Sequence, residues 1–268
     1  MVDLHAHILP GLDDGARDGE EALGMAAAAA ADGIARLIAT PHFISGQFTP
    51  SRQEILDAVG RLNMALGGAG VPVEVLPGAE YRLEPDLPAR LQRGELLTIN
   101  DAGRHLLVEL PAEFIPPYAE SLLYELQLLG MTPVIAHPER NAAVARNPAF
   151  LRGLVSRGVL AQVTAHSITG RFGREARRLA LFLLGEGLAH FVASDAHSLH
   201  GRPPVLSVAL QEVARRLGEG AKRRLLENAV AAASGCRVES LPAGEGEGAA
   251  RKVRSFFKGI RGGFGRKK

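Results

Sequence analysis

Eight side chains able to ligate a metal each follow or close a short apolar run: His5, His7, His42, Glu80, Glu109, His137, Asp195 and His197. Imidazoles and carboxylates together bind hard or borderline divalent cations. His5 and His7 are two residues apart, as are Asp195 and His197. On an extended strand that spacing puts both side chains on one face, where they can chelate one ion together. A single pair of this kind arises often by chance. Two pairs, with four more ligand types at strand-like ends, point to a multinuclear metal site built for hydrolysis, because charged groups seldom stay buried without a partner. Ordinary polar residues at loop edges are the bland alternative, easier to hold for one member than for the set. Asp13-Asp14-Gly15 follows the first pair, in a loop that also contains Pro10-Gly11. Asp-Gly is a turn signal, but closeness to His5 and His7 makes one carboxylate a candidate ligand, with Asp14 favoured.

Positioning such a set requires elements that end together. Strand-like runs at 1–4, 34–39, 72–76, 105–110, 132–136, 159–164 and 189–193 alternate with helical segments at 18–32, 51–67, 117–129, 147–157, 173–186, 204–217 and 219–233. Alternation of this kind implies an α/β fold of parallel strands with right-handed crossovers. An open sheet gathers its site at one switch point. Here the ligands come from nearly every strand, which predicts a barrel with the metal site at the carboxyl ends of its strands.

The 268 residues, 46% hydrophobic, suit one large α/β domain or two small ones, with a real core. The opening Met1-Val2-Asp3-Leu4-His5 lacks a basic segment followed by an apolar run and cleavage site, so a secreted protein is not expected. No apolar run reaches membrane-spanning length, and the single cysteine, Cys236, fits a reducing cytoplasm. Eight of the 31 basic residues and no acid lie in 251–268, leaving 23 basic against 29 acidic in the first 250, a net of −6. The expected organisation is therefore an acidic catalytic domain over 1–240 and a flexible basic tail over 241–268. An acidic body disfavours a nucleic-acid groove.

The blocks from Asp3 to Gly15, Ala39-Thr40-Pro41-His42, Gly78-Ala79-Glu80, Pro133 to Arg140 and Ala193-Ser194-Asp195-Ala196-His197 resemble the bacterial PHP-type (polymerase and histidinol phosphatase) protein-tyrosine phosphatases of capsule and exopolysaccharide operons. The resemblance runs from residue 1 to about 235. It implies a distorted seven-stranded (β/α)7 TIM-like barrel and three divalent ions, with manganese fitting the ligands and iron or zinc also compatible. By position it assigns His5, His7, Glu80 and Asp195 to a first ion. Glu80, Glu109 and His137 fall to a second, and Asp14, His42 and His197 to a third. Arg140 and Arg202 follow ligand-bearing strand ends and are candidates to fork onto phosphate oxygens; the alternative is a surface ion pair, for Arg140 with Glu139. Phe43 and Tyr81 either face a substrate phenyl ring or belong to the core. His166 matches no ligand position and is expected at the rim or behind a ligand, with contact to substrate open to it. Ser198 stands where asparagine often follows the final histidine.

Three divalent ions, four carboxylates and one bridging hydroxide leave a balance of about +1, attractive to a phosphate dianion despite the acidic body. The expected reaction is in-line attack of that hydroxide on phosphorus, with Asp14 among the catalytic set and Arg140 and Arg202 on the equatorial oxygens. A metal or His200 is a candidate to assist the leaving group. Cys236 lacks the glycine-rich cradle of a thiolate phosphatase. The expected substrate is a tyrosine-phosphorylated protein, such as a membrane-associated bacterial tyrosine kinase. The alternatives are a small-metabolite phosphatase of the histidinol phosphate type, an exonuclease, and a regulator that binds a kinase tail without catalysis. Phe256, Phe257, Ile260 and Phe264 interleave with the tail's cations, which suits peripheral contact of a cytoplasmic protein with an anionic membrane.

Overall fold

The structure is a computed structural model and describes residues 1–238; the expected basic tail lies outside the described residues. Among the described residues nine strand segments occur: β1 (Val2–Ala6), β2 (Arg36–Ala39), β3 (His42–Phe43), β4 (Glu74–Pro77), β5 (Glu80–Arg82), β6 (His105–Glu109), β7 (Thr132–Ala136), β8 (Leu160–Thr164) and β9 (Phe191–Ala193). The expected helices form as α1 (Gly19–Ala31), α2 (Arg52–Ala69), α4 (Ala119–Leu128), α6 (Ala149–Ser156), α8 (Gly173–Gly185), α9 (Ser207–Leu217) and α10 (Glu219–Ala233). Three short helices were not anticipated: α3 (Leu87–Gln92), α5 (Ala142–Arg146) and α7 (Ala165–Thr169). Local chemistry sets several boundaries. Asp18 caps α1 by accepting from the Glu21 amide at 2.9 Å. Ser51 and Glu54 form a reciprocal capping box on α2, which ends at Gly70 with φ 67°.

All strand pairs are parallel, in two sheets ordered β1-β2-β4 and β3-β5-β6-β7-β8-β9. Two short segments, β3 and β5, lie beyond the expected runs 34–39 and 72–76, which makes nine segments where seven were expected. Pro41 has no amide hydrogen to give between β2 and β3. Gly78-Ala79 separates β4 from β5, and a Cβ on Gly78 would stand 2.8 Å from Ile38 Cγ2. The other edge of the large sheet meets β1 through the Asp195 amide on His5 O at 2.9 Å and the His7 amide on Ala196 O at 2.7 Å.

Helices pack outside the sheets in one large apolar cluster. A second cluster joins Leu4, Ile38, Leu107, Val134, Leu160 and Phe191 to alanines of α10. Side chains alternate along a strand, so the faces carrying Leu107, Leu160 and Phe191 continue toward the carboxyl ends into Glu109, Gln162 and, through Ala193, Asp195. In β1 the register shifts between Asp3 and Ala6, which is where apolar Leu4 gives way to His5. An apolar floor therefore lies beneath a polar site. No helix among the described residues is long and apolar enough to cross a membrane.

Candidate metal centre

The structure brings all nine expected ligands together. His5 Nε2 lies 3.0 Å from His7 Nε2, and both nitrogens lie 3.3–3.4 Å from Glu80 Oε2 and 3.4 Å from Asp195 Oδ1. Glu80 also reaches His42 Nδ1 at 3.0 Å and, through its other oxygen, His137 Nε2 at 3.0 Å. Glu109 lies 3.7 Å from His137, and Asp14 lies 3.7 Å from His42 and 3.5 Å from His197. Ligand atoms about 2.1 Å from one ion stand roughly 3.0–3.5 Å from each other, so this spacing fits metal coordination. Glu80 Oε2 and His42 Nδ1 are buried without a hydrogen bond despite their closeness, as atoms aimed at a shared cation would be. Among the described residues three groups meet the geometry for an ion: His5, His7 and Glu80; His42, Glu80 and Glu109; His7, Asp14, His42 and His197. They overlap more than the three sets implied by the resemblance. His7 also approaches the third, and His42 joins Glu80 and Glu109.

Backbone and charge prepare these groups. His137 (φ 32°) and Asp195 (φ 53°) are left-handed without being glycine, a strain of about 1–3 kcal/mol each that clusters at functional sites. Both turn the chain at the end of a strand. Burial alone would push the Glu80 and Asp195 carboxyls up, but the surrounding imidazoles, with Arg202 at Asp195, hold both well below the ordinary range. Burial opposes charge on His7, yet Asp13, Asp195 and Glu80 hold it well above the usual imidazole value. Burial, then the neighbouring His7, pushes His197 down to about 2. Without a cation the site thus holds anionic carboxylates and a neutral His197, while His7 and His137 favour a proton that metal binding would release.

Arg140 and Arg202 converge on one atom. Arg140 Nη1 donates to Asp195 Oδ2 at 2.5 Å, and Arg202 Nη2 donates to the same oxygen. Arg140 does not neutralise Glu139, which is buried and accepts from the Thr164 amide and Ser167 Oγ. Ser198 accepts from the Gly201 and Arg202 amides and so closes the loop that returns Arg202 to the site. Phe43 and Tyr81 resolve as core: they are 7% and 2% exposed, Arg90 stacks on Phe43, and the Leu97 amide bonds to the Tyr81 hydroxyl at 2.7 Å. His166 is buried on α7 with its ring edge-on to Phe172. His200 and Cys236 are exposed.

The family described as capsular polysaccharide synthesis, CpsB/CapC, matches residues 1–232. The chain belongs to the CpsB/CapC family. It is 41% identical over 229 residues to the tyrosine-protein phosphatase YwqE of Bacillus subtilis (strain 168), spanning 85% of this chain and 90% of YwqE. It is 28% identical to the tyrosine-protein phosphatase CpsB of Streptococcus pneumoniae, over 85% of this chain and 96% of that protein. A crystal structure from work describing YwqE and CpsB as unique metal-dependent tyrosine phosphatases superposes with a TM-score of 0.88 at 39% identity, covering 90% of this chain and 98% of the other.

In this CpsB/CapC chain, the residues that sequence reasoning passed over are the ones that orient ligands. Asp13 Oδ2 lies 2.6 Å from His7 Nδ1 and accepts from the His42 amide at 2.8 Å. Burial opposes its charge, but His7 holds the Asp13 carboxyl down at about 2. Gln162 Oε1 lies 2.8 Å from His5 Nδ1. Each fixes a ring so that Nε2 faces the cluster. The Asp13-Asp14 doublet was the available signal: one carboxylate faces the ligand atoms and its neighbour braces a histidine. Asp13→Asn is expected to weaken manganese binding roughly ten- to hundredfold, read by metal titration of the stripped protein. Unchanged affinity would remove Asp13 from the site.

Proposed function

We propose that this chain hydrolyses the phosphate ester of tyrosine-phosphorylated proteins, using divalent cations held by His5, His7, Asp14, His42, Glu80, Glu109, His137, Asp195 and His197. The observation that carries the reading is the meeting of two guanidinium groups on Asp195, a carboxylate that lies against the imidazole cluster. Each guanidinium has five N–H donors, and Asp195 engages a single nitrogen of each. Arg202 Nε is buried with no hydrogen-bond partner among the described residues, a donor suited to a phosphoryl oxygen. Arg140 and Arg202 would bind and orient the phosphoryl group there and stabilise charge on its equatorial oxygens. Divalent ions, when bound, supply Lewis-acid charge and an activated water near neutral pH. The leaving phenol, with a pKa of about 10, departs more readily than an alkoxide and needs less help from a general acid.

The finer parts of this reading are three ions, manganese for preference, and a closed, distorted seven-stranded barrel formed by the two sheets together. The domain would span 1–240. The substrate would be a membrane-associated bacterial tyrosine kinase whose phosphorylation state governs capsule or exopolysaccharide synthesis, and the protein would act in the cytoplasm. The names of YwqE and CpsB support a tyrosine-phosphorylated substrate, and the ligand geometry supports several divalent ions. The decisive experiment is steady-state hydrolysis by metal-stripped protein, with manganese restored, of a tyrosine-phosphorylated peptide beside histidinol phosphate. The peptide should be preferred, with activity lost to chelator and unaffected by alkylation of Cys236. Preference for histidinol phosphate would overturn the substrate, and activity that survives complete metal removal would overturn the mechanism.

A further inference from the structure

Arg140 and Arg202 come from different loops, and their approach to one point brings two like charges together. Asp195 Oδ2 answers that charge, but a hydrogen-bonded carboxylate also uses donors that a phosphate would need. A second contact has no such conflict. The Arg140 guanidinium carbon lies 4.9 Å from the centre of the Phe172 ring, and that of Arg202 lies 5.6 Å from the same centre. An aromatic ring attracts a guanidinium through its quadrupole and leaves the N–H donors free for hydrogen bonding.

Phe172 is itself held firmly. It sits in the tight turn between α7 and α8, framed by Gly170 and Gly173, with φ of 91° and 90°. The Arg171 amide donates to His166 O at 2.9 Å, and the Gly173 amide donates to Gly170 O at 3.0 Å. His166 meets the ring edge-on, with centroids 5.8 Å apart. Arg171 Nη2 reaches Gly201 O at 3.0 Å, which ties this turn to the loop that carries Arg202. The half-buried ring is therefore a fixed post between two long, flexible cations.

We infer that Phe172 is a positioning residue that holds Arg140 and Arg202 in the geometry that binds a phosphoryl group. The inference rests on the phosphatase reading above, since it assigns both arginines to phosphate. It makes Phe172 act through the arginines rather than on the substrate's phenyl ring. Its effect should therefore appear with inorganic phosphate, which has no ring.

The test is calorimetric binding of inorganic phosphate to the full-length, manganese-loaded protein, with metal content and melting temperature measured in parallel. Phe172→Leu should weaken phosphate binding about three- to tenfold at unchanged metal content. Phe172→Tyr should restore it. Pentafluorophenylalanine at the same position keeps the shape and inverts the quadrupole, so it should weaken binding as leucine does; it also serves if the leucine variant folds poorly. In a protein already carrying Arg140→Ala and Arg202→Ala, the leucine change should have no further effect. Phosphate affinity that is unchanged in both ring variants would overturn the inference. So would a loss of the same size with both arginines absent, or a raised KM for phosphopeptide with phosphate affinity intact, which would put the ring on the substrate. If the wild type binds phosphate with this dependence on Phe172 but leaves phosphotyrosine peptide uncleaved, the substrate reading fails and the positioning role stands.

Discussion

Glu80→Gln is expected to remove nearly all metal-supported hydrolysis, lowering kcat/KM by about a thousandfold, the equivalent of roughly 4 kcal/mol of lost electrostatic and Lewis-acid stabilisation. Glu80 is fully buried, and its two oxygens lie 3.0–3.4 Å from nitrogens of His5, His7, His42 and His137. No other carboxylate of the site approaches as many imidazoles that closely. Glutamine has the same shape but removes the negative charge and sets an amide N–H₂ among nitrogens that should face a cation. Metal content measured on the purified variant should fall together with activity. A variant that kept both would show that Glu80 bridges nothing and that its burial is structural. Cys236→Ser is the matching control and should leave activity unchanged, because that thiol is exposed and has no part in the chemistry.

The contrast between Glu80 and Phe172 shows what the sequence could and could not disclose. A ligand announces itself by type and place. Glu80, His137 and Asp195 are polar residues at the ends of apolar runs, and the 3.6- and 2-residue periodicities that located those runs also located helices such as α2 and α10 and strands such as β6 and β7. The segments β3 and β5, after Pro41 and Gly78, were harder to read, because each is only two or three residues long and lies beyond the expected runs 34–39 and 72–76. Their consequence, ladders divided between two sheets, depends on a close approach between Ile38 and Gly78 that no local pattern encodes. The short helix α7 begins directly after β8, within a polar stretch too brief for a helical period to show. Phe172 was invisible for a related reason. A lone aromatic in a glycine-framed turn reads as a loop residue until the turn is seen beside two arginines 32 residues before it and 30 after it in the chain. Phe43 and Tyr81 show the reverse case, in which closeness to a ligand in sequence did not make a ring a substrate contact. Side chains on one strand alternate in direction, and a residue next to a ligand on a strand points away from it.

Acid should destabilise the protein through two histidines that lie away from the metal cluster. His105, at the start of β6, and His190, just before β9, are 1% and 0% exposed. Burial pushes both imidazoles down to about 4 from an ordinary value of 6.5, with Arg104 adding to the effect at His105. The geometry at His190 explains why the neutral form is required. Its Nδ1 accepts the Ala161 amide at 3.2 Å, and a proton on that nitrogen would put two donors face to face. Its Nε2 is buried without a partner among the described residues, so charge there would have no acceptor. Because the folded value lies below the unfolded one, the unfolded chain binds more protons between pH 6.5 and 4. Stability from these groups is fully present above pH 6.5 and is lost as pH falls toward 4, by about 3 kcal/mol for each imidazole. His190→Asn keeps a side-chain acceptor for the Ala161 amide and cannot titrate. Urea unfolding of both proteins at pH 7 and pH 4 isolates this histidine, since contributions from the metal ligands cancel in the difference. The wild type should be the more stable protein at pH 7, and its advantage should shrink by about 3 kcal/mol at pH 4. An advantage that stayed constant across that range would mean that His190 is protonated equally in both states, and that its burial is relieved by a partner or a movement of β9 on acidification.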